Sequence, residues 1–194
     1  MALHFCVVNN DIEKTKKMAN FSVPSRGDVS ANNQEIFDNL NKALGMVPNL
    51  YAVMALSDTA LGNYLAFQNA KTTFSNKEKQ AGNLVVSQVN ECLYCQSAHT
   101  VLGKLNGLTE AQTIEIRKGS ASFDKRLDVL VTLAKEITAN KGFASTEAID
   151  AFINAGYTKG QVIELVFLVA EKTAMNYVHA ITKVEIDFPV AQAI

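Results

Sequence analysis

The chain has 194 residues, 48% hydrophobic and 19% charged, with a formal net charge of −1. That is enough for one domain with a sizeable core, and the near-neutral balance excludes the basic excess of a nucleic-acid binder. The longest apolar run, VIELVFLVA from Val162 to Ala170, contains Glu164 and falls well short of the about 18 residues of a membrane span, so neither nucleic acid nor membrane is expected as a partner.

The first stretch, MALHFCVVNNDIEKTKK, turns polar after Val8 and lacks the pattern of an export signal. Residues 1–17 read as an N-terminal extension, with Cys6 incidental, and residues 18–194 as a single domain. Pro24 and Pro48 interrupt the part that follows, around a helical stretch NQEIFDNLNKAL that Gly45 ends. A further helical stretch lies in YAVMALSDTALGNYLAFQNA. Ser75 with Glu78, Thr109 with Gln112 and Thr158 with Gln161 each form a capping box that opens a helix. Gly119, Gly142 and Gly156 stand where left-handed caps end helices.

Between these marks the apolar period is near 3.6. In DKRLDVLVTLAKEITAN one face carries Leu127, Leu130, Val131, Ala134, Ile137 and Thr138. The last stretch, from Gly160 to Val184, is apolar around most of its circumference, which suits a core or an interface, and Pro189 closes it. Phe123, Phe143, Phe152 and Phe167 are core candidates, and His179 reads as packing or interface. No alternating strand and no Asn-Gly hairpin is evident. The expectation is an all-α domain of about seven or eight helices.

The chemistry concentrates in NECLYCQSAHT, Asn90 to Thr100. With Asn90 as N-cap, Cys92 falls in the first turn of a helix and Cys95 one turn in, about 60° apart around the axis. Cys95 and His99 are four residues apart, neighbours on the same face. Free backbone N–H groups and the helix dipole favour a thiolate at such a position. His99 can hydrogen-bond the Cys95 sulfur, and a thiolate can attack a peroxide O–O bond to give a sulfenic acid. Cys92 can condense with it to a disulfide, and an external dithiol can reset the pair. Two other readings compete. A zinc site takes four ligands where only Cys92, Cys95 and His99 are at hand, and His4, His179 and Cys6 lack the spacing to complete it. Alternatively, both cysteines and His99 are inert buried residues. The odd count of three cysteines, without an export signal, speaks against a disulfide scaffold and for a redox-active or metal-binding pair in a reducing cytoplasm.

NECLYCQSAHT resembles the E…CxxCxxxH signature of the AhpD-like, carboxymuconolactone decarboxylase superfamily of alkylhydroperoxidases, including its peroxidase-related members. IFDNLNKALGMVPNLYAVMALSDTALGNYL, NKEKQAGNLVVSQVNECLYCQSAHTVLGKLNGLTEAQ and GYTKGQVIELVFLVAEKTAMNYVHAITKVEIDFP resemble the segments before, around and after that dithiol. The resemblance implies an AhpD-like all-α fold assembled as a dimer, trimer or hexamer. It implies an oxidoreductase, a hydroperoxide reductase in which Cys95 attacks, Cys92 resolves and His99 assists, without metal or flavin. Lipoylated or thioredoxin-like dithiol proteins are the expected reductants. The decarboxylase chemistry belongs to members without the cysteine pair and is disfavoured.

One position departs from the pattern. The relay glutamate is expected twelve residues before Cys92, where this chain has Gln80. An amide hydrogen-bonds but does not shuttle protons at neutral pH. Glu78 is expected to serve its capping box and Glu91 to face solvent. Tyr94 reads as packing or as part of the pocket mouth. The alternative is therefore a thiol–disulfide reductase or redox sensor with weak peroxidase activity.

Overall fold

The computed structural model describes residues 21–194; the expected extension, with His4 and Cys6, lies outside the described residues. After a short 3-10 turn, Arg26–Asp28, nine α-helices follow among the described residues: α1 (Ala31–Leu44), α2 (Asn49–Met54), α3 (Ala60–Gln68), α4 (Asn76–Val89), α5 (Leu93–Leu105), α6 (Glu110–Lys118), α7 (Lys125–Ala139), α8 (Thr146–Asn154) and α9 (Lys159–Thr182). The fold is all-α, as expected. All but the six-residue α2 are longer than two turns or close to it, which agrees with the expected seven or eight; α2 is cut off from α3 by the turn before Ala60. No helix among the described residues is long and apolar enough to cross a membrane.

Local chemistry sets the boundaries. The three expected capping boxes open α4, α6 and α9, each with its reciprocal hydrogen bonds. Glu78 serves the α4 box and also accepts from the Tyr157 hydroxyl at 2.7 Å, away from the dithiol. Asp124 caps α7 and Ser145 caps α8. Gly45 and Gly119 end α1 and α6 with positive φ, a conformation in which a Cβ is strained.

The main core lies where α4, α6, α7, α8 and α9 meet. It contains Leu84, Val85 and Val86 of α4, Ile116 of α6, Leu130, Val131 and Leu133 of α7, Phe152 of α8, and Leu165 and Val169 of α9. Phe152 stacks on Tyr157 with ring centroids 4.0 Å apart. At Gly82 a Cβ would lie 2.8 Å from Leu168 Cδ2, so the missing side chain lets α4 and α9 approach closely. A second apolar cluster joins Leu50 and Val53 of α2, Tyr64 of α3, Cys92, Tyr94 and Cys95, and Met175 of α9. The dithiol thus sits at the seam between the N-terminal helices and the main bundle.

Two phenylalanines depart from expectation. Phe152 is fully buried and Phe123 packs against the core, but Phe143 is 82% and Phe167 59% exposed. Phe143 follows Gly142 in the loop before α8, and Phe167 falls on the outward side of α9. That side also exposes Ile163, Val166, Tyr177 and Ile181.

Candidate active site

The chain turns sharply between α4 and α5. Asn90 ends α4 and Glu91, exposed, adopts a left-handed φ of 54°. The cap of α5 is therefore Cys92, not Asn90: its sulfur accepts from the Cys95 backbone N–H at 3.4 Å. Asn90 instead ties this turn to α9, donating to Asn176 Oδ1 at 2.9 Å and to Thr173 Oγ1 at 3.3 Å. The physical reason is the positive φ at Glu91, which breaks the helical path one residue later than a side-chain cap at Asn90 requires.

Both cysteines are free, buried and 2.8 Å apart, sulfur to sulfur. A proton between two such sulfurs cannot be shared equally. The hydrogen bond from Cys95 lowers Cys92 to about 5, helped against burial by His179 and the Cys95 backbone N–H. The same hydrogen bond, together with burial, raises Cys95, which Lys172 partly opposes. The reduced pair is thus a Cys92 thiolate accepting from a Cys95 thiol. His179, read from the sequence as packing, sits against Cys92; that contact raises the imidazole, while its Nε2 lies 3.3 Å from the Val184 carbonyl.

His99 is buried on α5 with Nδ1 2.7 Å from Gln80 Oε1. The expected hydrogen bond from His99 to the Cys95 sulfur is replaced by this one, because α4 packs its Gln80 face directly on the imidazole. The amide oxygen can only accept, so it places the proton on Nδ1 and leaves Nε2 unprotonated. Burial, with the positive charge of Lys172, holds His99 well below its ordinary range, so the ring is neutral.

A cleft of about 770 Å³ opens over this site, lined by Gln80, Asn83, Tyr94, Cys95, His99 and Glu171 and walled by apolar residues including Leu50, Phe67, Leu102 and Met175. Cys95 lines the cleft and Cys92 does not. Among the predicted residues the structure therefore brings Cys95, His99, Gln80 and Tyr94 to one cleft and sets Cys92 behind Cys95.

Sequence reasoning missed the contribution of α9. Lys172, almost fully buried, pairs with Glu171 at 3.5 Å, and the Tyr64 hydroxyl donates to Glu171 Oε1. Gln68 Nε2 donates to the Tyr64 hydroxyl and Tyr51 donates to Gln68 Oε1, both at 2.8 Å. Burial alone lowers Lys172, but Glu171 and the two sulfurs outweigh it and the ammonium is held charged. The available signal was Glu171-Lys172 followed by Asn176 directly after the apolar run Leu165–Ala170; buried charges persist only when paired. Among the described residues no cluster of three or more His, Cys, Asp or Glu is placed to hold a metal ion.

The carboxymuconolactone decarboxylase family model matches residues 57–136, a span that includes Gln80, both cysteines and His99. No curated protein matches the chain. An uncharacterized peroxidase-related protein from Silicibacter sp. TM1040 superposes with a TM-score of 0.75 at 20% identity, over 88% of this chain and 94% of that one. The AhpD core of an uncharacterized peroxidase-related protein from Ralstonia eutropha JMP134 gives 0.76 at 15%, over 83% and 88%. A cysteine-to-alanine variant of the debrominase Bmp8, in complex with 2,3,4-tribromopyrrole, gives 0.74 at 15%, over 88% and 93%. At these identities the likeness is one of fold.

Proposed function

We propose that this chain is a member of the AhpD-like, carboxymuconolactone decarboxylase superfamily with the activity of a thiol-dependent hydroperoxide reductase. The observation that carries the reading is the arrangement of the two sulfurs: 2.8 Å apart, one facing the cleft and the other behind it with the negative charge. A cleft-side sulfur can meet substrate, and a charged partner in contact can take its proton and later close the disulfide.

The sequence begins with Cys95 passing its proton to the Cys92 thiolate. The Cys95 thiolate attacks the terminal oxygen of ROOH; the O–O bond breaks, an S–O bond forms, and RO⁻ leaves. RO⁻ recovers the proton held by Cys92 and departs as ROH. Cys92, again a thiolate, attacks the Cys95 sulfenic sulfur; the S–S bond forms and hydroxide leaves, taking a solvent proton to become water. Two thiol electrons pairwise reduce the peroxide, so each turnover ends in one disulfide, one alcohol and one water. An external dithiol, lipoylated or thioredoxin-like, returns the pair to the reduced state.

The test is Cys95→Ser. The variant is expected to consume no cumene hydroperoxide and to form no disulfide. Consumption at the wild-type rate overturns the assignment. A second reading, a thiol–disulfide reductase or redox sensor, is favoured by Gln80, which meets His99 Nδ1 with an amide in place of a carboxylate. Rapid peroxide turnover by the wild type, compared with its reduction of a small disulfide, excludes it. The apolar outward side of α9 further supports assembly with other copies of the chain.

A further inference from the structure

Asn83 has no role in the sequence of steps above, and it is in an unusual position. It lies on α4, three residues after Gln80 and so on the same face, and lines the cleft with Cys95 and His99. Its residue exposure is 8%, yet its Oδ1 is sealed from solvent without a hydrogen-bond partner, and its side chain makes no hydrogen bond among the described residues. Neighbouring amides are all engaged: Gln80 by His99, Gln96 by Arg117 and Ser87, and Asn176 by Asn90. A buried amide without a partner is costly, and a Leu, with the same branching at Cγ, would avoid that cost. The Asn83 Nδ2 is not sealed in this way and has no partner among the described residues, so the amide keeps a free donor at the cleft.

We propose that Asn83 is a substrate contact, the amide that hydrogen-bonds the oxygens of a ligand reacting at Cys95. The proposal rests on the hydroperoxide reading for the identity of that ligand. When Cys95 attacks, negative charge grows on the leaving oxygen of ROOH. The Asn83 Nδ2–H group donates to that oxygen as the O–O bond breaks, and to the hydroxyl oxygen of the alcohol product afterwards. The amide neither gains nor loses a proton. It sits among the apolar residues Leu50, Leu102 and Met175 of a cleft that also carries Gln80, His99 and Glu171, and a hydrogen bond to a charged oxygen there is stronger than in water. The ligand chemistry that fits is an apolar body carrying one small oxygen group, and the remaining walls accept the body.

The experiment compares wild type, Asn83→Leu and Asn83→Ala as reduced full-length proteins. It reads kcat/KM for cumene hydroperoxide, the iodoacetamide alkylation rate of the dithiol, calorimetric binding of cumyl alcohol, and Tm. Asn83→Leu is expected to lower kcat/KM by about 10- to 100-fold. It is expected to weaken cumyl alcohol binding by about 5-fold or more, while alkylation stays within about twofold and Tm is unchanged or higher. The proposal is overturned if both variants keep kcat/KM within about twofold of wild type. It is equally overturned if alkylation falls in step with turnover in both, since Asn83 would then only be holding the dithiol in place. If the wild type itself leaves cumene hydroperoxide untouched, the reductase reading fails; alcohol binding that depends on Asn83 still upholds the contact, and binding that ignores it overturns both.

Discussion

Removing the Cys95 sulfur should raise the pKa of Cys92. In the reduced protein the thiolate of Cys92 accepts from the Cys95 thiol at 2.8 Å, the largest influence holding it at about 5. Because the folded value is depressed, the thiolate is present above pH about 5 and is lost as pH falls through that value. At pH 7 that leaves Cys92 about 99% ionised, against roughly 3% for an ordinary thiol near 8.5. A charge-assisted hydrogen bond is worth about 1.5–3 kcal/mol, or about one to two pKa units. Cys95→Ala should therefore move the Cys92 midpoint from about 5 to about 6–7, because His179 and the Cys95 backbone N–H remain. His179→Gln should move it less. The assay is ultraviolet absorbance of the thiolate against pH, checked by alkylation rate and mass. A wild-type midpoint above about 8 would refute the reasoning, as would a midpoint that Cys95→Ala leaves in place.

Gln80→Glu puts a carboxylate on His99 Nδ1, which should raise the imidazole and increase peroxide turnover by about 10-fold or more; His99 titration by NMR alongside initial rates checks both halves. Lys172→Met leaves Glu171 buried without its cation and should cost about 3–5 kcal/mol in urea unfolding, with much of the loss recovered in a Lys172→Met, Glu171→Gln double variant. If the single variant is as stable as wild type, the pair is not the buried ion pair described. Phe152→Ala, at a fully buried ring stacked on Tyr157, should cost about 3–5 kcal/mol by the same measurement.

Most helix ends could be read from residues near one another in the chain because their interactions are local, the Asn90 cap being the exception. The capping boxes at Ser75, Thr109 and Thr158 and the positive-φ glycines at 45, 119, 142 and 156 involve groups within a few residues, so sequence alone places the helix ends. The buried stripe of α7 follows from its period, and the Cys92-Cys95 proximity from a single helical turn. The family likeness also rests on a contiguous stretch.

Tertiary structure decided which sulfur carries the charge and what each imidazole meets. Local rules put an imidazole within reach of Cys95, but the packing of α4 gives His99 to Gln80, and α9 brings His179 to Cys92 across more than eighty positions. The same packing buries Glu171 and Lys172 beside the dithiol and turns Phe167 outward from an apolar helix. Helical period identifies a face but not the neighbour it meets; that depends on which helices cross, where a missing side chain such as that of Gly82 permits approach, and how the second apolar cluster closes over the sulfurs.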